Sequence, residues 1–173
     1  TRLRQRGKQL ISYNGQIFQN QRVASVDSDF FSVFSFSLLQ GDATTALVQP
    51  NTIVISEKTA NQYFNTENPL GKVIRLKNWD TDYKVTGVVA DMPDNSHIQF
   101  DLLASMSSFE DAQADTWMTS EFYTYLVLPQ AYNFADLEAK LPAVFAKNIN
   151  PQLKKAMGVT LAEMEAKGSS LGL

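Results

Sequence analysis

Cysteine is absent from this 173-residue chain, and histidine occurs only once, as His97. The absence of cysteine excludes disulfides, thiolate metal sites and a thiol nucleophile, although it leaves the cellular compartment open. Long apolar runs are also missing, since a membrane span needs ~20 apolar residues and the runs at 52–55 and 126–128 have the length of strands. The chain has no initiator Met and begins within an alternating pattern, so we expect it to be a segment of a longer protein.

Motifs for nucleotide binding and for acyl transfer are likewise missing. Gly71-Lys72-Val73 lacks the earlier glycine and the hydroxyl residue of a phosphate-cradling loop. No Gly-x-Ser-x-Gly nucleophile elbow occurs. We therefore predict that the chain is not an enzyme and has no catalytic, cofactor-binding or metal-binding residues.

His97 and the carboxylates near it leave two other interpretations open. Three of those carboxylates could hold a hard cation through oxygen ligands, and His97 could belong to a Ser–His–Asp unit. The carboxylates in question are Asp91, Asp94 and Asp101. Their spacing matches no calcium loop, and residues 94–96 are all turn formers. We favour a turn that leads into a strand beginning at His97.

The composition is that of a folded globular protein. Hydrophobic residues make up 44% and charged residues 19% of the chain, which argues against disorder. Eleven Phe and six Tyr supply material for an aromatic core. The net charge of -3 and the pI of about 5.1 argue against a nucleic-acid partner, which selects a basic surface.

Charge is distributed unevenly along the chain. Residues 1–22 contain five basic residues and no acid, whereas residues 85–139 contain nine acids and no Lys or Arg. The acidic stretch could form a face for a basic partner, although charge runs are more often an ordinary solvated surface. We predict a docking surface within this stretch. Its candidate residues are Glu110, Asp111, Asp115 and Glu121.

The first half of the chain predicts strands and two short helices. Extended segments at 2–6 and 8–13 precede Asn14-Gly15, a pair typical of a type I′ hairpin turn. We predict further strands, listed here as 16–19, 22–26, 52–55, 72–77, 82–90 and 97–104. Asp27 or Ser28 could cap a helix over 29–34, and Ser56 could cap one over 57–64.

Aromatic residues crowd the first of these helices. Phe30, Phe31 and Phe34 share one helical face, so we predict that all three belong to the core. Gly87 lies within a predicted strand, where glycine often marks a bulge or a close approach of two backbones.

The second half is less regular. Residues 105–120 predict a loop with one helical turn, and 121–128, which is apolar on both faces, predicts a central strand. Asn133 should cap a helix over 134–148, which Pro142 should kink. Residues 151–167 predict a further, weakly amphipathic helix.

Five segments in order resemble one protein family. They are Val23–Asp42, Ile53–Phe64, Asn68–Lys72, Tyr83–Asp91 and Pro93–His97. In this order and spacing they are similar to the periplasmic core domain of MacB-like and FtsX-like ABC transporter permeases. The resemblance covers about residues 22–104, and residues 121–148 are compatible with it.

The resemblance implies an α+β fold with two lobes, mixed or antiparallel sheets and short helices. The smaller lobe would be 22–104, whereas 1–21 and 105–173 would be connecting segments and parts of an incomplete β-α-β, porter-like lobe. The parent would be an inner-membrane permease, in the form of a homodimer, with this segment on the periplasmic side. Its partners would be a cytoplasmic ATPase subunit or domain and an adaptor or outer-membrane protein.

The function implied is non-catalytic coupling of cytoplasmic ATP hydrolysis to export or signalling, together with partner docking. Two alternatives stay open. One is an independent extracytoplasmic ligand-binding or sensor module, which an apolar pocket with convergent polar groups would favour. The other is a hydrolase with an unrecognised site, which a strongly shifted titratable group in a cleft would favour.

Overall fold

The computed structural model describes residues 1–166 and 168, and the chain divides into two compact units. The sheet unit comprises residues 1–113 and 121–126, and the helical unit comprises 114–120 and 127–173. The strands are β1 (Arg2–Tyr13), β2 (Gln16–Val26), β3 (Leu38–Gly41), β4 (Thr52–Ser56), β5 (Val73–Leu76), β6 (Thr81–Val89), β7 (Leu102–Ser105) and β8 (Tyr123–Thr124). The helices are α1 (Phe30–Val33), α2 (Glu57–Phe64), α3 (Phe134–Glu138), α4 (Leu141–Met157) and α5 (Leu161–Ala166).

Six of the strands pair in a closed cycle, in the order β1-β2-β7-β4-β6-β5 and back to β1. Strand β8 adds to β1, and β3 adds to β6. The β2–β7 and β4–β6 pairs are parallel, and the other pairs are antiparallel. The predicted α+β class, with a mixed sheet and short helices, is therefore confirmed.

The first hairpin forms as its turn residues predict. Asn14 and Gly15 have φ values of 46° and 78°, and their positive sign is what a type I′ turn requires. Strand β1 continues through residues 2–13 with two irregularities in its pairing to β2. One of them spans Gly7, whose φ of 70° suits the extra residue of a bulge.

Apolar side chains cover both faces of the central strands. In β4, Ile53 and Ile55 pack with helix α2 residues such as Tyr63, whereas Val54 packs in a second cluster with Phe30. All five β4 residues and all four β7 residues are buried. Burial on both faces explains why β4 is a continuous apolar run rather than an alternating one.

Helix α1 is shorter than predicted and is capped differently. It spans four residues after Asp29, and no side chain caps it, so the predicted caps at Asp27 and Ser28 are wrong. The carboxylate of Asp27 accepts hydrogen bonds from Arg2 instead. Phe30 is fully buried, as predicted, whereas Phe31 and Phe34 are only half-buried and pack at the margin of the core.

Helix α2 and the β5–β6 hairpin agree with prediction. The Ser56 hydroxyl accepts a hydrogen bond from the Thr59 amide at 3.2 Å and so caps α2. Of the strand predicted over 97–104, only the part from Leu102 onward forms β7. Two short 3-10 helices, Met106–Ser108 and Glu110–Ala112, follow β7, where one helical turn was predicted.

Gly87 lies at a bulge and a close backbone approach, as predicted. The register between β4 and β6 shifts at this position, and Gly41 of β3 pairs with Gly87. A Cβ on Gly41 would lie 2.4 Å from the carbonyl oxygen of Thr86, and Gly41 has a φ of 92°. Only glycine fits at position 41, since both the conformation and the space exclude a side chain.

The predicted central strand over 121–128 is wrong. Only Tyr123 and Thr124 form a strand, β8, and it pairs on one side with Arg2 and Leu3 of β1. Tyr123 is 57% exposed and Leu126 is 60% exposed. Apolar residues on both faces indicate burial only when partners cover both faces, and the described residues of this chain provide one neighbouring strand.

In the helical unit the predicted Asn133 cap is present, but the predicted kink at Pro142 is not. The Asn133 side chain accepts a hydrogen bond from the Ala135 amide at the start of α3. Pro142 does not kink a helix over 134–148, because the helix breaks before it and Pro142 falls in the first turn of α4. Proline is tolerated there because the amides of the first turn have no helical acceptor. Pro151 lies inside α4, and Lys167, at the end of the last predicted helix, is outside the described residues.

Candidate partner-docking surface

Arginines on one face of β1 form a surface that includes two of the four predicted docking residues, Asp111 and Glu121. Arg2, Arg4 and Arg6 alternate along the strand and therefore point to the same side of it. Arg2 donates to the Asp27 carboxylate through Nε at 3.0 Å and Nη2 at 2.9 Å, and through Nη1 to the carbonyl oxygen of Ala112 at 2.9 Å.

Arg4 bridges two of the predicted docking carboxylates. Its Nη1 contacts Asp111, and its Nη2 contacts Glu121. The Arg4 side chain is only 15% exposed, whereas those of Asp111 and Glu121 are 58% and 56% exposed. The hydrogen bond from Arg4 holds the pKa of Asp111 below its ordinary value.

Aromatic rings complete this surface. The Phe122 ring lies 5.4 Å from the guanidinium carbon of Arg2 and 5.4 Å from that of Arg4. The guanidinium carbon of Arg6 lies 3.7 Å from the ring centroid of Phe109. Burial lowers the pKa of Arg6. Contacts of this kind between a guanidinium and an aromatic face are attractive and are strongest where water is excluded.

The four predicted docking residues are not all placed alike. Glu110 is exposed at the start of the second 3-10 helix, next to Asp111. Asp111 and Glu121 share the one guanidinium of Arg4. Asp115 belongs to the helical unit, where its backbone carbonyl accepts a hydrogen bond from Gln152.

Three of the nine acids in the acidic stretch pair with arginines of the basic stretch at residues 1–22. Arg22 donates to the Asp101 carboxylate through its backbone amide at 2.7 Å, Nε at 3.1 Å and Nη2 at 2.8 Å. Arg4 pairs with two more residues of the acidic stretch. Sequence reasoning placed the partner of the acidic stretch outside the chain. The basic stretch at residues 1–22 was evident in the sequence, but its pairing with the acidic stretch was not predicted.

His97 takes part in neither of the chemical sites considered for it. Its Nε2 lies 3.1 Å from the hydroxyl of Tyr125, while Asp101 is paired with Arg22. Asp91 accepts a hydrogen bond from the Lys58 amide at the start of α2. Across residues 1–166 and 168, no three His, Asp or Glu residues converge on a position that could hold a metal ion.

The concavities of the sheet unit include a larger and a smaller one. The larger, of about 500 Å³, is an open cleft lined by polar groups that include Arg2, Asp27 and Ser107. The smaller, of about 170 Å³, has His97, Tyr123 and Tyr125 in its walls and Leu3 and Ile98 among its apolar lining. The smaller volume accommodates a group of side-chain size rather than a typical small-molecule ligand, since ligand pockets measure roughly 300–1,000 Å³.

Comparisons with known proteins place this fold among periplasmic domains. The family model of the MacB-like periplasmic core domain matches residues 2–144. A domain of a protein assigned as a permease in Porphyromonas gingivalis is 22% identical with a TM-score of 0.75, over 86% of this chain and 69% of that one. The periplasmic region of MacB from Actinobacillus actinomycetemcomitans is 17% identical with a TM-score of 0.59, over 92% and 68% of the two chains.

A third solved structure shares the fold more distantly. The extracellular domain of the ABC-type transporter YknZ from Gram-positive bacteria is 13% identical, with a TM-score of 0.54 over 92% of this chain and 77% of that one. A search of the curated proteins found no match. Within the described residues, no helix combines the length and the apolarity that crossing a membrane requires.

The fold and the family match define the extracytoplasmic part of an ABC transporter permease. More specifically, the chain belongs to the family of MacB-like periplasmic core domains. The resemblance that the five sequence segments carry is thereby confirmed.

Proposed function

We propose that this domain couples cytoplasmic ATP hydrolysis to export or signalling across the membrane and docks partner proteins, without catalysing a reaction itself. The observation that carries the proposal is the family match over residues 2–144. ATP would be hydrolysed by a cytoplasmic subunit or domain of an inner-membrane, homodimeric parent. The division into a smaller lobe at 22–104 and parts of a porter-like lobe at 1–21 and 105–173 stays a prediction.

The architecture of the sheet unit suits a mechanical role. A closed cycle of strands with apolar cover on both faces of β4 and β7 resists deformation, because moving one strand disturbs packing on two sides. A domain of this kind passes displacement from one surface to another rather than absorbing it. Function would then lie in its surfaces and in the geometry of its parts.

The acidic surface around Arg4 is the proposed docking site for a basic partner, which would be an adaptor or outer-membrane protein. Asp111 and Glu121 share the guanidinium of Arg4, and the side chains of both, like that of Glu110, are open to solvent. Asp115, which belongs to the helical unit, stays a separate predicted docking residue. Complementary charge of this kind raises the rate of association and selects the partner more than it raises affinity.

The coupling proposal is tested on the parent permease together with its ATPase, purified in detergent. We expect that deleting this domain leaves basal ATP hydrolysis in place but removes its stimulation by substrate or partner. A deletion variant that keeps full stimulated turnover would refute coupling through this domain. A preparation without any associated ATPase would refute assignment to an ABC permease.

The docking site is tested by Glu110→Lys, with Glu57→Lys as the matched control. Both glutamates are exposed residues in the first turn of a helix, so both variants change surface charge equally. At low ionic strength, Glu110→Lys should weaken partner binding and Glu57→Lys should not, and the difference should shrink in salt. Equal affinities for the two variants would dispose of the site.

The pocket beside His97 is where the alternative function, that of a ligand-binding or sensor module, is tested. It has apolar lining and convergent polar groups, as such a function requires, but its volume of about 170 Å³ is small. A small molecule that stays bound to the purified chain and protects the pocket residues from hydrogen exchange would support this alternative.

A further inference from the structure

Two short stretches of chain meet on the arginine face of β1. The chain leaves the sheet unit after Gln113 and returns to it at Glu121. Just before it leaves, Asp111 contacts Arg4, and the carbonyl oxygen of Ala112 accepts a hydrogen bond from Arg2. Just after it returns, Glu121 contacts Arg4, and the Phe122 ring lies near both guanidinium groups.

Backbone structure at these two points is slight. Before the departure there is one 3-10 helix of three residues, Glu110–Ala112, whose own backbone hydrogen bonds are local. After the return there is the two-residue strand β8. Backbone hydrogen bonds between Tyr125 and Thr1 also join distant parts of the chain at the return point. The arginine side chains are the contacts that reach both points, across 110 residues for Arg2 and Ala112 and 107 for Arg4 and Asp111.

We infer that Arg4, assisted by Arg2, is a clasp that fastens both ends of segment 114–120 to the sheet unit and opens in a single local step while the sheet stays folded. Because one guanidinium contacts the carboxylates at both ends, loss of its contact with either Asp111 or Glu121 alters its contact with the other. The bridging geometry suits arginine, whose planar fork presents several donors, and does not suit lysine, which is a point charge. The clasp is independent of the proposed transport function.

Hydrogen exchange of the 173-residue chain tests the clasp. Arg4→Ala should speed exchange on the order of tenfold in peptides covering 109–113 and 121–125, and leave β4 and β7 unchanged. Arg75→Ala is the matched control, because Arg75 also joins two carboxylates, Asp80 and Asp82, each at 2.7 Å. The control should leave 109–125 at the exchange rate of the unmodified chain.

Substituting each carboxylate in turn distinguishes a single clasp, in which the two contacts of Arg4 are coupled, from two independent ion pairs. Asp111→Asn should speed exchange at 121–125 as well as at its own end, and Glu121→Gln should do the same at 109–113. If each variant loosens only its own end, or if Arg4→Ala speeds exchange equally in β4, the inference is wrong. Should Arg4→Ala fail to fold, Arg4→Lys and the unmodified chain between about 0.05 and about 1 M salt give the same test, since salt screens exposed ion pairs.

Discussion

Strand β4 and the two-part segment formed by residues 106–113 and 121–126 belong to the same sheet unit but are held by different interactions. All five β4 residues are buried, with neighbouring strands on both sides and apolar clusters on both faces. The segment instead has little regular structure. It is held by the contacts of Arg2 and Arg4, by the short pairing of β8 with β1, and by a few buried residues such as Met106 and Ala112. β4 therefore depends on apolar packing, whereas the segment depends in part on ion pairs, whose attraction salt weakens.

The largest expected effect is the loss of stability when a buried side chain of β4 is truncated. Ile55→Ala should lower the free energy of unfolding by about 2 to 5 kcal/mol, because it opens a cavity at a fully buried position. Leu126→Ala removes a comparable aliphatic side chain from the segment, where it is 60% exposed, and should cost less than about 0.5 kcal/mol. Urea unfolding of both variants gives the comparison, and similar losses would show that the segment is packed as tightly as the strand.

The contact of β3 with β6 should be almost as sensitive. Gly41→Ala should cost about 2 kcal/mol or more, because the new methyl group meets the carbonyl oxygen of Thr86 and the backbone has a positive φ. Gly15→Ala is the control with positive φ alone, since nothing lies within 4 Å of the position of its Cβ. It should cost only about 1 to 2 kcal/mol.

Thermal unfolding of these two glycine variants separates steric exclusion from backbone strain. A clearly larger loss for Gly41→Ala locates the extra cost in the approach of β3 to β6. Equal losses of stability in the two variants would mean that β3 moves away from β6 at little energetic cost and is only weakly bound to the sheet.

Local signals in the sequence predicted much of the rigid region. The Asn14-Gly15 turn and the Ser56 cap act through neighbouring residues, so their outcome is set within a few positions of the chain. The short strand β8 could not be predicted in this way, because its extent depends on which strands lie beside it. The bridge from Arg4 to Asp111 and Glu121 joins residues more than 100 positions apart, and composition showed only that opposite charges lay in different stretches.

The smallest expected effect concerns pH and compares two aspartates of the acidic stretch. Burial by itself would raise the pKa of Asp101, but the hydrogen bonds from Arg22 outweigh it and leave the pKa below its ordinary value. The hydrogen bond from Arg4 lowers the pKa of Asp111, which is much more exposed. A lowered pKa in the folded state means that the unfolded chain takes up the proton first as the pH falls. The stability contributed by each pair is therefore present above the unfolded pKa of about 3.9 and is lost as the pH falls through the folded value.

Asp101→Asn should consequently remove part of the acid sensitivity of the fold. The variant should be less stable than the unmodified chain at pH 7, by roughly 1 kcal/mol or less, and the difference should narrow between about pH 5 and about pH 2. For Asp111→Asn, the stability difference from the unmodified chain should change less with pH, because solvent already screens the Asp111 carboxylate. Unfolding free energies measured across this range decide the matter. A larger pH dependence for Asp111 than for Asp101 would mean that the Arg4 clasp, and not the Arg22 pair within the sheet, is the stronger of the two attachments.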